Sequence, residues 1–242
     1  MISEQSGKLL HTSNVYHHQW AAKLAELIVS LTQKEGGLGY TPNPTPSESS
    51  AKVFFSNTGT EANEGALKIA RKVGKDRWSA QTGIPWESDP TRCTKTRIAC
   101  FENSFHGRTM GSISVTVNAK YQQPFVPLIP GIDVGELNDF NLIDKIVTRD
   151  TCAVIVEPIQ GEGGIHIANL DWLRALKKRS DEVGAVLIFD EIQVRKVWRF
   201  VVLPCLKRTI LVRTLSHRNA MGSFGLSCRL PSGHSHNGQA LG

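Results

Sequence analysis

The sequence alternates short apolar runs with segments in which apolar residues recur at helical spacing. Each apolar run has the length of a buried strand, and the runs occupy residues 52–55, 98–101, 153–156 and 185–189. Helical spacing of apolar residues is found over residues 20–31, 62–73 and 172–176. Buried strands that alternate with amphipathic helices are typical of a parallel sheet with both faces covered. The pattern therefore predicts an α/β fold, and such sheets bind their ligands at the carboxyl ends of the strands.

Two polar stretches interrupt this alternation. Residues 36–50 are rich in Gly, Pro and Ser, and residues 74–96 are rich in Ser, Thr, Pro and charge, so both are predicted to be surface loops. No apolar run approaches the roughly 18–20 residues that a bilayer-crossing helix needs, so no membrane partner is predicted. The five cysteines are scattered without metal-ligand spacing, which predicts no metal site and a reducing compartment.

The formal net charge of +6 is concentrated at one end of the chain. Residues 194–242 contain no Asp or Glu but eight of the 28 basic residues, which leaves 20 basic and 22 acidic residues in 1–193. The first part is therefore mildly acidic, with a net charge of −2. The tail has neither an aromatic platform nor a helical stripe of basic residues, so no nucleic-acid partner is predicted. The abrupt change in composition predicts a boundary after Gln193.

Gly59 and Thr60 lie between the first predicted strand and the helix that follows it. Backbone N–H groups and a hydroxyl at a helix N-terminus can bind a phosphate. The same segment can simply begin the helix, with Thr60 paired to Asn63 or Glu64 as a cap. Taken alone, the segment leaves both interpretations open.

Three further polar clusters follow the next strands. Phe105 and Arg108 can hold a flat ring and a carboxylate, or they can be a buried aromatic residue and a surface arginine. Glu157 and Glu162 follow a strand end where a buried carboxylate needs a partner. Asp190 can pair with a protonated ring nitrogen, or it can cap a helix.

In their order along the chain and in their residues, the four clusters resemble class III pyridoxal-phosphate (PLP) aminotransferases, and most closely the acetylornithine aminotransferases of fungal type. The matching segments are HTSNVY (11–16), FFSNTGTEANEGALKIAR (54–71), FENSFHGRTMGSISVT (101–116), KYQQPFVPLIPG (120–131), VEPIQGEGG (156–164) and LIFDEIQ (187–193). The resemblance covers essentially all of residues 1–193. It implies an incomplete PLP-binding large domain of the fold-type I transferases, in which helices flank a mostly parallel sheet.

The resemblance also implies how the chain would hold the cofactor. Gly59 and Thr60 would bind the PLP phosphate, and Phe105 would stack on the pyridine ring. Asp190 would be the catalytic residue that pairs with the ring nitrogen, and Ile192 would pack beneath the ring. These five residues are therefore predicted to meet in one site.

Four more residues acquire roles from the same resemblance. Gln193 would reach the phenolic oxygen of PLP, and Arg108 would bind the α-carboxylate of the substrate. Glu157 and Glu162 would line the substrate pocket. No metal is implied.

The activity that the resemblance implies is transfer of the terminal amino group of N-acetylornithine to 2-oxoglutarate, a step of arginine biosynthesis. Ornithine or another ω-amine is the alternative substrate. Members of the family work as homodimers. The fungal relatives are mitochondrial, which implies the mitochondrial matrix. The sequence shows no presequence, so it would be cytoplasmic if Met1 were the true start.

After Gln193 the resemblance ends. The family continues with a Gly-rich turn and, later, with the lysine that forms a Schiff base with PLP, and residues 194–242 contain no match to either. The chain as written is therefore expected to be inactive, as a fragment that binds PLP or another subunit. Codons for residues 195–198 can be chosen that read Gly-Arg-Ser-Gly, the family's turn, after a one-base shift. The tail is thus predicted to be out of frame or intron-derived, and disordered.

Overall fold

A computed structural model of the chain describes residues 2–13, 15–34, 51–192, 209–214 and 224–229. The helices are Ile2–Ser6 (α1), Gln19–Lys34 (α2), Gly59–Thr82 (α3), Met110–Ser114 (α4), Ala119–Gln122 (α5), Phe140–Ile146 (α6) and Leu170–Val183 (α7). The strands are Ala51–Ser56 (β1), Arg97–Phe101 (β2), Ile132–Gly135 (β3), Thr151–Val156 (β4), Ile159–Gln160 (β5), His166–Ile167 (β6), Val186–Glu191 (β7), Thr209–Thr214 (β8) and Phe224–Arg229 (β9). In the part of the chain that the structure describes, a 3₁₀ turn spans Gln123–Phe125.

Seven strands form one sheet in the order β1-β9-β8-β7-β4-β2-β3. Four neighbouring pairs are parallel, namely β3–β2, β2–β4, β4–β7 and β7–β8. Strand β9 runs antiparallel to both β8 and β1. The predicted α/β fold with a mostly parallel sheet is therefore confirmed. The predicted runs at 52–55, 98–101, 153–156 and 185–189 correspond to β1, β2, β4 and β7.

Helices cover both faces of the sheet and create two apolar cores. On one face, Trp172 of α7 is fully buried, and its ring lies edge-on to that of Phe101, with 4.9 Å between ring centroids. On the other face, the small side chains of Ala62, Ala66 and Ala70 bring α3 close to the strands. Because each central strand faces helices on both sides, all residues of β4 and β7 are buried.

The predicted loop at 74–96 is wrong in its first part, because α3 continues to Thr82. Gly74 allows this continuation, since a Cβ there would collide with Cβ of Cys152 on β4. The helix ends where Gly83 adopts the left-handed conformation, with φ of 72°. Polar composition concealed this end of the helix, because its outward face is charged. The other predicted loop, residues 36–50, lies outside the described residues.

The structure adds elements that the apolar pattern does not predict. β3 is a short edge strand of only four residues, and the β5–β6 pair forms a separate hairpin. Residues 194–242 are predicted to be disordered, yet two parts of this tail, β8 and β9, are strands of the main sheet. The rest of the tail, and with it Gln193, lies outside the described residues.

A buried lysine joins the starts of three neighbouring strands. Nζ of Lys95, two residues before β2, donates to the carbonyl oxygens of Arg149 at 2.8 Å and Val183 at 2.7 Å. Arg149 precedes β4, and Val183 is the last residue of α7, before β7. At the amino-terminal edge of these three strands, the Lys95 amino group thus bridges the segments that lead into β4 and β7.

The described residues contain neither a candidate membrane-spanning helix nor a candidate metal cluster. None of the helices in these ranges combines the length and apolar character that crossing a membrane requires. Nor do three or more His, Cys, Asp or Glu side chains gather there as a metal site would require. Cys93, Cys100 and Cys152 are free thiols in the core.

Candidate active site

The predicted site residues that the structure describes lie at the carboxyl edge of the sheet. Phe105 and Arg108 follow β2, Glu157 follows β4, and Asp190 is the second-to-last residue of β7. Across from these strands, α3 begins at Gly59. Parallel strands bring their carboxyl ends to the same edge, so residues far apart in the sequence become neighbours.

The N-terminus of α3 is capped by Thr58 and not by Thr60. The Thr58 hydroxyl accepts from the Glu61 N–H at 3.2 Å, and the Glu61 carboxylate accepts from the Asn57 and Thr58 N–H groups. The interpretation of Thr60 as the cap is therefore wrong. Within the described part of the chain, the N–H groups of Gly59 and Thr60 have no acceptor. They remain available to an anion.

Gly59 and Ile192 are in direct contact, although their positions in the sequence are far apart. A Cβ at position 59 would collide with Cδ1 of Ile192. The absence of a side chain at Gly59 thus lets the N-terminus of α3 approach the end of β7. Two residues that the sequence assigned to one cofactor site are brought together by this contact.

Thr60 is tied to the segment after β2. Its hydroxyl lies 2.9 Å from the hydroxyl of Thr109, and its carbonyl accepts from the Ser112 hydroxyl at 3.1 Å. Gly107 has φ of 127°, and a Cβ there would collide with the Thr60 side chain. A glycine is required here for both conformation and space. The segment that carries Phe105 and Arg108 is therefore packed on the start of α3.

The Asp190 carboxylate is buried and held by three donors. Oδ2 accepts from Nδ2 of Asn63 at 2.8 Å and from Nδ1 of His106 at 2.8 Å, and Oδ1 accepts from the Ile192 N–H at 3.1 Å. Asn63 Nδ2 also donates to the His106 carbonyl at 2.7 Å. Oδ1 of Asn63 and Nε2 of His106 are buried without a hydrogen-bond partner among the described residues. The orientation of the Asp190 carboxylate is therefore fixed, and Oδ1 of Asn63 and Nε2 of His106 can each still form a hydrogen bond beside it.

Asn63 and His106 were missed as site residues by the sequence analysis. His106 stands within the Phe105–Arg108 cluster, and Asn63 was considered only as a cap partner for Thr60. The signal for both is that a buried carboxylate at the end of β7 needs donors, since an unpaired buried charge is costly. The sequence alone does not show which side chains face it.

Glu157 is buried next to the same network. Its carboxylate accepts from the Phe105 N–H at 2.9 Å, and only 5% of the residue is exposed. Burial raises the pKa of Glu157 to about 7, opposed by nearby His106 and assisted by the negative charge of Asp190. The carboxyl therefore fixes the backbone of Phe105 and carries a labile proton near neutral pH.

Glu162 is in a different environment. It is exposed in the turn between β5 and β6. The turn packs on the segment after β2, since a Cβ at Gly163 would collide with the carbonyl oxygen of Asn103. Glu157 is therefore buried beside the Asp190 network, whereas Glu162 faces solvent.

Arg108 and Phe105 share a neighbour, Tyr121. The guanidinium carbon of Arg108 lies 4.5 Å from the centroid of the Tyr121 ring. Phe105 meets the same ring edge-on, with 5.8 Å between centroids. Arg108 is exposed and forms no ion pair with any described residue.

Comparison with known proteins shows similarity over the same part of the chain. A family model described as aminotransferase class III matches residues 1–194. The mitochondrial acetylornithine aminotransferase of Yarrowia lipolytica is 49% identical over 193 residues, which are 80% of this chain and 41% of the relative. The succinylornithine transaminase of Yersinia enterocolitica is 40% identical over 79% of this chain and 41% of the relative.

Among solved structures, the ornithine aminotransferase of Toxoplasma gondii is similar with a TM-score of 0.71 at 22% identity, over 95% of this chain and 49% of that one. This likeness shows the fold. The chain spans about two-fifths of the length of the curated relatives it matches. The predicted family resemblance is confirmed, and PLP is the cofactor of that family. The chain belongs to the class III aminotransferases.

Proposed function

We propose that the protein is a PLP-dependent transaminase that moves the terminal amino group of N-acetylornithine to 2-oxoglutarate. The observation that carries the proposal is the Asp190 carboxylate, which Asn63, His106 and the Ile192 N–H orient at the end of β7. It lies beside the start of α3, where N–H groups remain available to a phosphate. The name of the Yarrowia lipolytica relative supports the choice of substrate.

The residues present fit PLP. Gly59 and Thr60 would bind the phosphate at the N-terminus of α3, where the helix dipole favours an anion. Phe105 would stack on the ring, Ile192 would pack beneath it, and Asp190 would pair with the ring nitrogen. When bound, PLP supplies an electron-withdrawing ring that stabilises negative charge on the substrate Cα.

The substrate would be held mainly by side chains after β2 and β4. Arg108 would bind the α-carboxylate with its guanidinium N–H groups. Glu162, which is exposed, would contact the more distant part of the substrate, and Glu157 would line the floor while it holds the Phe105 N–H. Gln193, which lies outside the described residues, would reach the phenolic oxygen of PLP.

The organisation of the protein is part of the same proposal. Residues 1–193 would be an incomplete PLP-binding large domain, and residues 194–242 a tail read from a different frame or from an intron. The active protein would be a homodimer. The mitochondrial matrix is the proposed location, which the names of the fungal relatives support.

A second candidate is a non-catalytic PLP-binding protein. It is favoured by one observation, that no lysine among residues 194–242 stands in the context of the family's Schiff-base lysine. A polypeptide of these 242 residues would then bind PLP without a covalent link. Ornithine or another ω-amine is the alternative substrate if transamination occurs.

The first test is PLP binding by equilibrium dialysis. Replacing Asp190 by Asn removes the charge that would face the ring nitrogen, so we expect PLP binding to weaken by about 10- to 100-fold. Glu87→Gln removes one exposed carboxylate away from the site and should leave the dissociation constant within twofold. Equal affinity of Asp190→Asn and the unchanged protein would overturn the proposed site.

A second test distinguishes the two candidates. The PLP complex is treated with borohydride, and its intact mass is measured before and after denaturation. A retained PLP adduct on a lysine contradicts the non-catalytic candidate, and amino transfer from N-acetylornithine but not ornithine then supports the transaminase. Bound PLP that is lost completely on denaturation supports the non-catalytic candidate for this polypeptide.

A further inference from the structure

The segment Lys120–Gly131 matches the family in sequence but has no role in the proposed site. Tyr121 is the residue of this segment that contacts the site. Its ring is half-buried between the guanidinium group of Arg108, at 4.5 Å, and the ring of Phe105, at 5.8 Å and an interplanar angle of 77°. One aromatic side chain thus contacts both Arg108, which would bind a carboxylate, and Phe105, which would stack on the cofactor ring.

Tyr121 is held by short-range hydrogen bonds. The Asn118 side chain caps α5 by accepting from the Lys120 N–H at 3.0 Å, and the Tyr121 N–H donates to the Asn118 carbonyl at 3.0 Å. The Asn118 N–H in turn donates to the carbonyl of Thr116 at 2.9 Å. Thr116 is buried, and its hydroxyl accepts from the His106 N–H at 2.8 Å. The ring is therefore attached to the same core segment that supports Asp190.

The two contacts differ in kind. A guanidinium near an aromatic ring is attracted by the negative charge density of the ring face, and the attraction changes binding by roughly two- to tenfold when a partner depends on it. The edge-on contact with Phe105 is a favourable aromatic geometry. Because Arg108 forms no ion pair with any described residue, its hydrogen-bond donors are available to a ligand while Tyr121 restrains the group.

We propose that Tyr121 is a positioning residue, which fixes the guanidinium of Arg108 relative to the ring of Phe105 so that a carboxylate ligand and an aromatic cofactor are bound together. The inference rests on the proposed function, because that function assigns a carboxylate to Arg108. Tyr121 itself touches neither ligand. The contact needs only the aromatic ring, so the phenolic hydroxyl is dispensable.

The test uses the full chain with PLP added, and glutarate as a dicarboxylate that cannot be transaminated. Calorimetry gives the glutarate dissociation constant for the unchanged protein, Tyr121→Phe and Tyr121→Leu. We expect Tyr121→Leu to bind glutarate about five- to tenfold more weakly. Tyr121→Phe, which keeps the ring, should match the unchanged protein within twofold. Tyr16→Leu, a change at an exposed tyrosine, controls for the loss of any tyrosine.

A second measurement needs no ligand. Phenylglyoxal modifies arginines, and mass spectrometry gives the rate at Arg108 itself. We expect this rate to increase in Tyr121→Leu and not in Tyr121→Phe, because only the first variant releases the guanidinium. If Tyr121→Leu fails to fold by circular dichroism, Tyr121→Met keeps more of the side-chain length and replaces it in both experiments.

The outcomes separate the two proposals. Unchanged glutarate affinity in Tyr121→Leu, or equal weakening in Tyr121→Phe, overturns the positioning role while PLP binding stands. Failure of the unchanged protein to bind PLP overturns the proposed function. In that case the phenylglyoxal rates still decide whether Tyr121 restrains Arg108, and an unchanged rate in Tyr121→Leu overturns the inference.

Discussion

At the scale of single residues, Glu157 shows how burial changes the chemistry of a side chain. It accepts backbone N–H groups of Phe105 and Gly161 but lies almost completely out of water, and its pKa rises to about 7. Between pH 4.5, the ordinary value, and pH 7, the folded protein therefore retains a proton that the unfolded chain has released. This contribution to stability is present at low pH and is lost as the pH rises through 7.

Replacing Glu157 by Gln should remove this pH dependence. The unchanged protein should lose stability between pH 5 and pH 8, whereas Glu157→Gln should not. We therefore expect the difference in free energy of unfolding between the two proteins to shift in favour of Glu157→Gln by on the order of 2 kcal/mol over this range. Urea unfolding at several pH values measures it. Glu162→Gln, at an exposed carboxyl, should show a difference that does not vary with pH. A constant difference for Glu157→Gln would contradict the raised pKa.

The sequence predicted the candidate residues but not the contacts among them. Motif positions led to Gly59, Phe105 and Asp190, because long specific segments carry them. The contacts that orient Asp190 come from Asn63 and His106, which are separated from it by 127 and 84 positions. Such partners depend on how strands and helices pack, which spacing within a segment does not encode.

At the scale of elements, Lys95 holds together the starts of β2, β4 and β7. Burial lowers the pKa of Lys95, and nearby Arg77 acts in the same direction. The backbone carbonyls of Arg149 and Val183 accept from its amino group, so the lysine takes the place of water at these two carbonyls.

Lys95→Met should therefore destabilise the fold. The substitution keeps most of the side-chain volume but leaves the carbonyls of Arg149 and Val183 without this donor, at a cost of about 2–3 kcal/mol. Urea unfolding at pH 7 measures the loss. Lys178→Met, at an exposed lysine on α7, should change stability by less than about 0.5 kcal/mol. Equal stability of the two variants would show that the Lys95 contacts contribute nothing.

Elements with a continuous apolar pattern were predicted well, and those with a mixed pattern were not. β4 and β7 are buried on both faces, so their sequences are apolar throughout. The end of α3 and the edge strand β3 are partly solvated, and their sequences alternate with polar residues. Their positions follow from packing on the neighbouring elements.

At the scale of the whole molecule, protection from solvent is unevenly distributed. The central strands lie between two cores, whereas α2 leaves the side chains of Trp20 and Leu27 about half exposed, at 50% and 52%. The sequence predicts α2 from its apolar spacing, but spacing alone does not show how much of Trp20 and Leu27 remains exposed.

Hydrogen exchange should reflect this distribution. We expect backbone amides of β4 and β7 to exchange at least about 100-fold more slowly than those of α2, because exchange in the strands requires opening of both cores. Mass spectrometry of peptic fragments at micromolar protein concentration gives the rates. Equal protection of α2 and β4 would contradict the expectation and would mean that the apolar face of α2 is covered in solution.

The long sequence separation within the Asp190 network has a consequence for the newly made chain. Asn63 leaves the ribosome 127 residues before Asp190, its hydrogen-bond partner in the folded protein. At translation rates of about 5–20 residues per second, that interval lasts roughly 6–25 s. During this time α3 has no β7 to pack beside, so the polar groups of the site stay hydrated. The pocket is thus completed only after β7 has been synthesised.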